Sequence, residues 1–456
     1  MRDNGHAHGL PDRRTCEEIF SRVMDAAREH GVTEIEAIVS GENDALTRFA
    51  NNAIHQNVAE RLTYLSVRAA VDGRTARAST NRLDAGAIRD VVGEAIAITR
   101  LTEKDPELLP MADAADYPFL ARHFEATSHA TPDERARAVA EAIRVVEGAG
   151  QTAAGIYSTG EFAYALMNSR GVFGYHAETM ARFSITALAA DSSGWAKASA
   201  CRQNQLDPLE LARRASAKAT LSRAPRALEP GRYTVILEPA AVLDLAGQMF
   251  ADFSATAIRD GRSFLTDRIG KKLFGDNITI WDDAADERQS GPPFDGEGVP
   301  RRRLTLVEKG VVRDIAYSRQ AAAAAGVEPT GHGLPLPNEA GEAPANIVIA
   351  GGNQSVEDMV ASTERGILVT RLWYIREVDP YQKIFTGMTR DGTFLVEDGR
   401  VTAGVRNFRF NQSLIEMLSN VEALSVAERA TGEETFDLVT PAMKVRDFHF
   451  SEVTRF

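Results

Sequence analysis

From Val235 to Phe253 the chain reads VILEPAAVLDLAGQMFADF, a strand-like run broken at Pro239 and followed by an apolar stretch with helical spacing. Within it Asp244 and Gln248 stand one helical turn apart. At that spacing two histidines on one helical face can grip a single metal ion. As donors this pair is poor, because Gln offers only a weak neutral oxygen. No histidine lies between His176 and His332, and neither HExxH nor HExxxH occurs anywhere in the chain. A hydrolytic zinc takes three protein ligands and an open water position. The residues therefore predict no metal ligand and no catalytic group here, and Asp244 and Gln248 read as degenerate metal-helix positions.

Other side chains invite weaker readings. His332, in PTGHGLP, sits in a Gly-Pro loop where a neutral imidazole could touch a substrate backbone or do nothing. Arg371, Arg376 and Arg390 flank LWYIREVDP and MTRDG and could hold a peptide carboxylate or a partner's acid. Trp373 and Tyr374 at a strand end suit a partner interface or a core. Asn407 and Asn411 bracket FRF and are expected to cap a following helix. The acids of the Trp281–Pro300 loop, Asp282, Asp283, Asp286, Asp295 and Glu297, match no calcium-loop spacing, which leaves a solvated acidic loop, functional or mobile. Arg301, Arg302 and Arg303 read as a solvated strand start. No GxSxG nucleophile elbow is present.

The elements that must position these residues fall into two kinds. In the first half a capping box predicts a helix from Thr15, with Glu18 three residues on. Strand-like EIEAIVS, AIHQNVAE and RLTYLSVRAAV follow, the last turned by Asp72-Gly73, and Asp84 then caps a second helix. The same order recurs after an acidic link, with Thr131-Pro132 opening one helix and Asp207-Pro208 another. LTYLSVRAAVDGRTARAS and RFSITALAADSSGWAKAS look alike, and together these features indicate a duplication. Beyond Gly231 strands dominate, with hairpins at Lys309-Gly310 and Asp398-Gly399 and helices expected over 240–257, 319–325 and 412–424. The expected fold is α+β. A disordered tail at 1–14, carrying His6 and His8, precedes duplicated helix/antiparallel-strand units at 15–120 and 121–226 and a strand-rich C-terminal domain at 227–456.

Composition narrows the function classes. With 456 residues, 44% hydrophobic and 25% charged, the chain can bury more than one core. No run of about 18 apolar residues suggests a membrane span, and no signal-peptide pattern appears. Two cysteines without a CxxC pair suit the cytoplasm. A net charge of -12 disfavours a direct nucleic-acid partner, which needs a basic face.

Three long segments carry a family resemblance: DGEGVPRRRLTLVEKGVVRDIAYSRQAAAAAGVEPTGH, APANIVIAGGNQSVEDMVASTERGILVTR and TGMTRDGTFLVEDGRVTAGVRNFRFNQSLIEMLSNVEAL. Together they resemble the C-terminal domain of the TldD/PmbA (TldE) family, and the paired units of the first half extend the likeness over roughly residues 15 to 456. The resemblance implies a heterodimeric zinc peptidase acting on unstructured or modified peptides, in which TldD-type chains carry the metal and TldE-type chains complete the assembly. In TldD-type chains the helix after this strand bears HExxxH, with its Glu as general base, and a Cys near the C-terminus adds a ligand. Here that helix holds Asp244 and Gln248 instead, and the C-terminal segment has no Cys. The chain resembles the metal-free side of the family. It is expected to be a non-catalytic subunit that binds extended peptide, with zinc in an HExxxH-bearing partner. Two alternatives remain open: an autonomous hydrolase using Asp282, Asp283 and His332 around a metal or water, and a regulatory protein-interaction module.

Overall fold

A computed structural model describes residues 10–454, so His6 and His8 fall outside the described residues. The first half runs α1 (Arg13–Glu29), β1 (Glu34–Ala50), β2 (Ala53–Val71), β3 (Arg74–Thr80), α2 (Ala85–Leu101), the single turn α3 (Glu125–Ser128), α4 (Pro132–Gly148), β4 (Thr152–Asn168), β5 (Phe173–Leu188), β6 (Ser193–Ala200) and α5 (Pro208–Leu221). Helix α1 starts before Thr15, because the carboxylate of Asp12 accepts the Thr15 N–H at 2.7 Å and caps the helix first. Asp84, Thr131 with Glu134, and Asp207 cap α2, α4 and α5 as the sequence indicates. The segments AIHQNVAE and RLTYLSVRAAV form one strand rather than two, since β1 pairs with β2 from end to end.

The two repeats share one six-stranded sheet, ordered β3-β2-β1-β4-β5-β6 and joined by antiparallel β1–β4 pairing. Strand alternation decides what each face meets. Ile35, Ala37, Val39, Ala165 and Met167 turn toward α1 and α2, while Phe183, Ile185 and Ala187 turn toward α4 and α5. Ile38 and Leu166 turn to the other face, where they meet Phe294 from the second half. All four long helices thus cover one face, and the C-terminal half covers the other.

That half contains β7 (Gly231–Leu237), α6 (Pro239–Ala246), α7 (Ala255–Arg259), β8 (Ile280–Asp282), β9 (Leu304–Glu308), β10 (Val311–Val312), α8 (Arg319–Ala325), β11 (Ile347–Ile349), α9 (Val356–Ala361), β12 (Arg365–Asp379), β13 (Ile384–Glu397), β14 (Arg400–Gly404), β15 (Phe408–Ser413), α10 (Leu414–Ser419), β16 (Val421–Leu424), β17 (Glu428–Ala430), β18 (Leu438–Thr440) and β19 (Met443–Val453). Strands β12, β7, β19, β15 and β13 pair in that order and β13 returns to β12, which closes a barrel and removes its edges. An open sheet, β10-β9-β8-β11-β18-β17, lies beside it. One core fills the space between them, with Phe408, Phe410, Phe448 and Phe450 from the barrel and Val242, Met249 and Phe250 from the segment after β7. The hairpins at Lys309-Gly310 and Asp398-Gly399 and the helix at 319–325 form as expected.

Two helices differ from expectation. The stretch expected to be helical over 240–257 is α6 followed by a 3-10 segment, Gly247–Phe253, and then α7. Gly247 sits at the break, and the tighter winding rotates the following side chains away from the α-helical register. The segment 412–424 splits into the end of β15, the six-residue α10, and β16, because its apolar residues serve a strand on β19 as well as a helix. Ser413, not Asn407 or Asn411, caps α10.

The Trp281–Pro300 loop is a further correction. Asp282, Asp295 and Glu297 are buried, as are Phe294 and Gln289. Phe294 packs on Tyr117 and Tyr164, at centroid separations of 4.9 and 5.9 Å, and a β-carbon on Gly174 would stand 2.8 Å from its ring. Glu178 accepts the Gly291 N–H at 2.6 Å, and Arg122 donates to the carbonyls of Ala284, Asp286 and Gly291. The loop joins the two halves, and of its residues only Ala285, Glu287 and Arg288 are exposed.

Candidate functional site

Asp244 lies fully buried on α6. Its Oδ2 accepts the Leu372 N–H from β12 at 3.1 Å, and Oδ1 lies against Gly432, where a β-carbon would stand 2.4 Å away. Gln248 turns back and donates its amide to the Asp244 carbonyl at 3.1 Å. These donors do not fit a zinc ion: the only carboxylate accepts a backbone N–H, and the only amide donates to the last turn of α6. Burial pushes the Asp244 carboxyl up to about 7, against the pull of the Leu372 N–H and Arg371. Burial, aided by the neighbouring Asp295, likewise raises Glu297 to about 7.

A carboxyl raised in the folded state stabilises the fold below its unfolded pKa and loses that contribution as pH rises through the folded value. For Asp244 the window runs from about pH 4 to about pH 7. Urea unfolding at pH 5 and pH 8 should therefore show the parent chain losing about 2–3 kcal/mol relative to Asp244→Asn. An identical pH response in the two proteins would remove Asp244 from this role.

Five of the six candidate contact residues gather at β12 and β13. Arg371 is buried, pairs with Asp391 through its Nε at 2.9 Å, and lies over the rings of Trp195 and Trp373 at 4.9 and 5.3 Å. Arg390 covers Trp373 at 5.0 Å, and Arg376 covers Tyr374 at 4.6 Å. Ser193 of β6 donates to Asp391 at 2.6 Å, which ties the edge of the first sheet to the barrel. His332 is elsewhere. It is buried, with Nε2 3.0 Å from Asp282 and Nδ1 2.9 Å from the Thr330 hydroxyl, and has no surface left for a ligand. Asp282 also receives Arg301 at 3.1 Å and the N–H groups of Ala345 and Asn346 at 2.6 and 2.7 Å. Arg301 is therefore part of a buried knot, while Arg302 and Arg303 are exposed. Asp283 does not join it; its N–H bonds the Asn346 carbonyl.

The feature that sequence reasoning missed is a cleft of about 910 Å³ between the two open sheets. Its walls are β6 and β17, the last strands of their sheets, with Pro239 and Ala240 of α6 at the back. Each of these strands pairs on one side only, which leaves its outer N–H and C=O groups outside the ladder. Seven basic side chains and three carboxylates line the cleft, giving it a positive balance in an acidic protein. Lys197 reaches across to the Gly432 carbonyl at 2.6 Å and to Glu433 at 3.1 Å, and Arg429 reaches Ser199 at 2.8 Å. Among the described residues no group of three His, Cys, Asp or Glu is placed to share a metal ion. No helix among them is long and apolar enough to cross a membrane.

The chain is thus a duplicated α/β sheet packed on a closed barrel, with a cleft beside α6. Residues 35–99 match the PmbA/TldA metallopeptidase domain 1, residues 122–223 the central domain, and residues 230–452 the C-terminal domain. The chain belongs to the PmbA/TldD family. A metalloprotease of Methanothermobacter thermautotrophicus is 26% identical over 288 residues, which is 58% of this chain and 60% of that one. A second, from Methanocaldococcus jannaschii, is 25% identical over 202 residues, 43% of this chain and 44% of that one. The matches thus span about half the length of these relatives. The crystal structure of TldE from Thermococcus kodakarensis shares the fold, with a TM-score of 0.85 and 20% identity over 95% of this chain and 100% of that one.

Proposed function

We propose that this chain is the metal-free member of a two-chain PmbA/TldD-type peptidase. It shapes a cleft for extended peptide, and a partner bearing HExxxH supplies the zinc and the hydrolysis. The observation that carries this reading is the state of α6 and the turn after it: Asp244 accepts the Leu372 N–H and Gln248 donates back to the Asp244 carbonyl, beside a cleft walled by two sheet edges. Peptide added along β6 or β17 would gain main-chain hydrogen bonds without regard to sequence, which suits unfolded or modified substrates. The net charge of -12 argues for peptide rather than nucleic acid as the ligand, and the free thiols of Cys16 and Cys201 suit the cytoplasm.

The test pairs metal analysis with digestion of an unfolded protein. The purified chain should carry no stoichiometric zinc and cleave nothing. The HExxxH-bearing partner should cleave at least tenfold faster once this chain is added. A tightly held zinc with chelator-sensitive cleavage by the lone chain would overturn the reading, as would a mixture no faster than the partner alone.

A further inference from the structure

Strand β12 is interrupted where it faces β13. Trp373 pairs with Met388 and Arg376 with Thr386, so Tyr374 and Ile375 together oppose the single residue Gly387. Tyr374 takes φ +56, a conformation that bulky side chains rarely adopt. The bulge frees two successive N–H groups from the ladder and turns them to one side, the arrangement that makes a backbone anion nest. A carboxylate fills it. Glu434 accepts from Tyr374 N at 2.9 Å with Oε1 and from Ile375 N at 3.2 Å with Oε2.

Glu434 belongs to a short strap, residues 431–437, that continues the cleft wall. Thr431 lines the cleft, Glu433 holds Lys197, and Asp437 holds Arg429 at 2.7 Å. Beneath the strap, Gly432 lies on Asp244 and Thr435 on Gly247. The buried Oδ1 of Asp244 faces this strap. The cleft wall therefore ends at two residues that lead toward the nest: Thr431, where the strap begins, and Trp195, which stacks through Arg371 on Trp373 beside Tyr374.

We propose that the Tyr374–Ile375 nest is a carboxylate-binding subsite for an extended peptide, and that Glu434 is its resident occupant in the absence of peptide. The ligand is a carboxylate, from either the peptide's C-terminus or an acidic side chain. It displaces Glu434, lifts the strap and lengthens the cleft toward the Tyr374–Ile375 bulge. The proposal deepens the peptide-binding reading but needs no partner chain. Loss of the subunit role would leave it standing, and its failure would leave the subunit role untouched.

The experiment measures binding to the full chain by fluorescence anisotropy, using three labelled unstructured ten-residue peptides. One has a free C-terminal carboxylate and no acidic side chain, one is the same peptide amidated, and one is amidated with a single Glu. If Glu434 fills the nest nine-tenths of the time, removing its charge raises the affinity of a competing carboxylate about tenfold. Glu434→Gln should therefore tighten carboxylate-bearing peptides about tenfold and leave the plain amide unchanged. A gain by the free acid alone assigns the seat to C-termini, and a gain by the Glu peptide alone assigns it to side chains. Glu434→Ala, with folding checked by thermal melting, must give the same discrimination. No gain in either variant, or an equal gain for all three peptides, overturns the proposal.

Discussion

Replacing Asp282 with alanine should cost about 3–5 kcal/mol in urea unfolding at pH 7, one of the two largest losses expected anywhere in the chain. Arg301, His332 and two backbone N–H groups converge on this one buried carboxylate, and its removal strands them without water. Burial opposes the ionised state, but His332, Arg301 and the backbone donors outweigh it and hold the carboxyl well below the usual range. A depressed carboxyl contributes stability above its unfolded pKa and loses it as pH falls toward the folded value. The parent chain should therefore lose this advantage over Asp282→Ala only below about pH 4. A loss under about 1 kcal/mol at pH 7 would mean the knot is not a stabilising element. The alternative that used Asp282, Asp283 and His332 as hydrolytic groups gains nothing from this geometry, since the first and last are enclosed and the middle one stands apart.

Phe294→Ala is the second. Removing a fully buried ring costs about 3–5 kcal/mol when the surroundings cannot collapse. Here the ring fills the space between Tyr117, Tyr164 and Gly174, where the two halves meet. The effect should reach proteolysis as well as melting. In the parent chain the first cut is expected at the exposed 223–230 junction, with the 281–300 loop protected by its burial. In Phe294→Ala, cuts should appear at the exposed residues Ala285, Glu287 and Arg288 under the same protease dose. An unchanged cleavage pattern would show that Arg122 and Glu178 hold the loop without the ring.

Much of the fold could be read from local chemistry. Asp84, Thr131 and Asp207 announced their helices because a cap acts on residues three positions away, and Asp72-Gly73 announced its hairpin for the same reason. The breaks in 240–257 and 412–424 were not legible, because an apolar run fits an α-helix, a 3-10 turn or a strand until its neighbours decide. The site shows the same division. Arg371, Trp373 and Arg390 drew attention by residue type, and they do cluster. Their partners lie far along the chain: Ser193 meets Asp391 across 198 residues, and Glu434 meets Tyr374 across 60. Only tertiary packing makes those pairs. The acids at 281–300 misled for a related reason, since charge in a loop suggests water unless the buried donors are known.

The shared first sheet has a consequence during synthesis. Strand β1 leaves the ribosome long before its second neighbour exists, since Asn43 and Glu161, bonded across the β1–β4 seam, are 118 residues apart. At about 5–20 residues per second, the inner edge of β1 waits roughly 6–24 seconds for its mate. During that interval the nascent first repeat is half a sheet with an adhesive margin, open to another nascent chain of its own kind. Rare codons or a pause before β4 would lengthen that exposure. Crowded polysomes are where this protein's misassembly would begin.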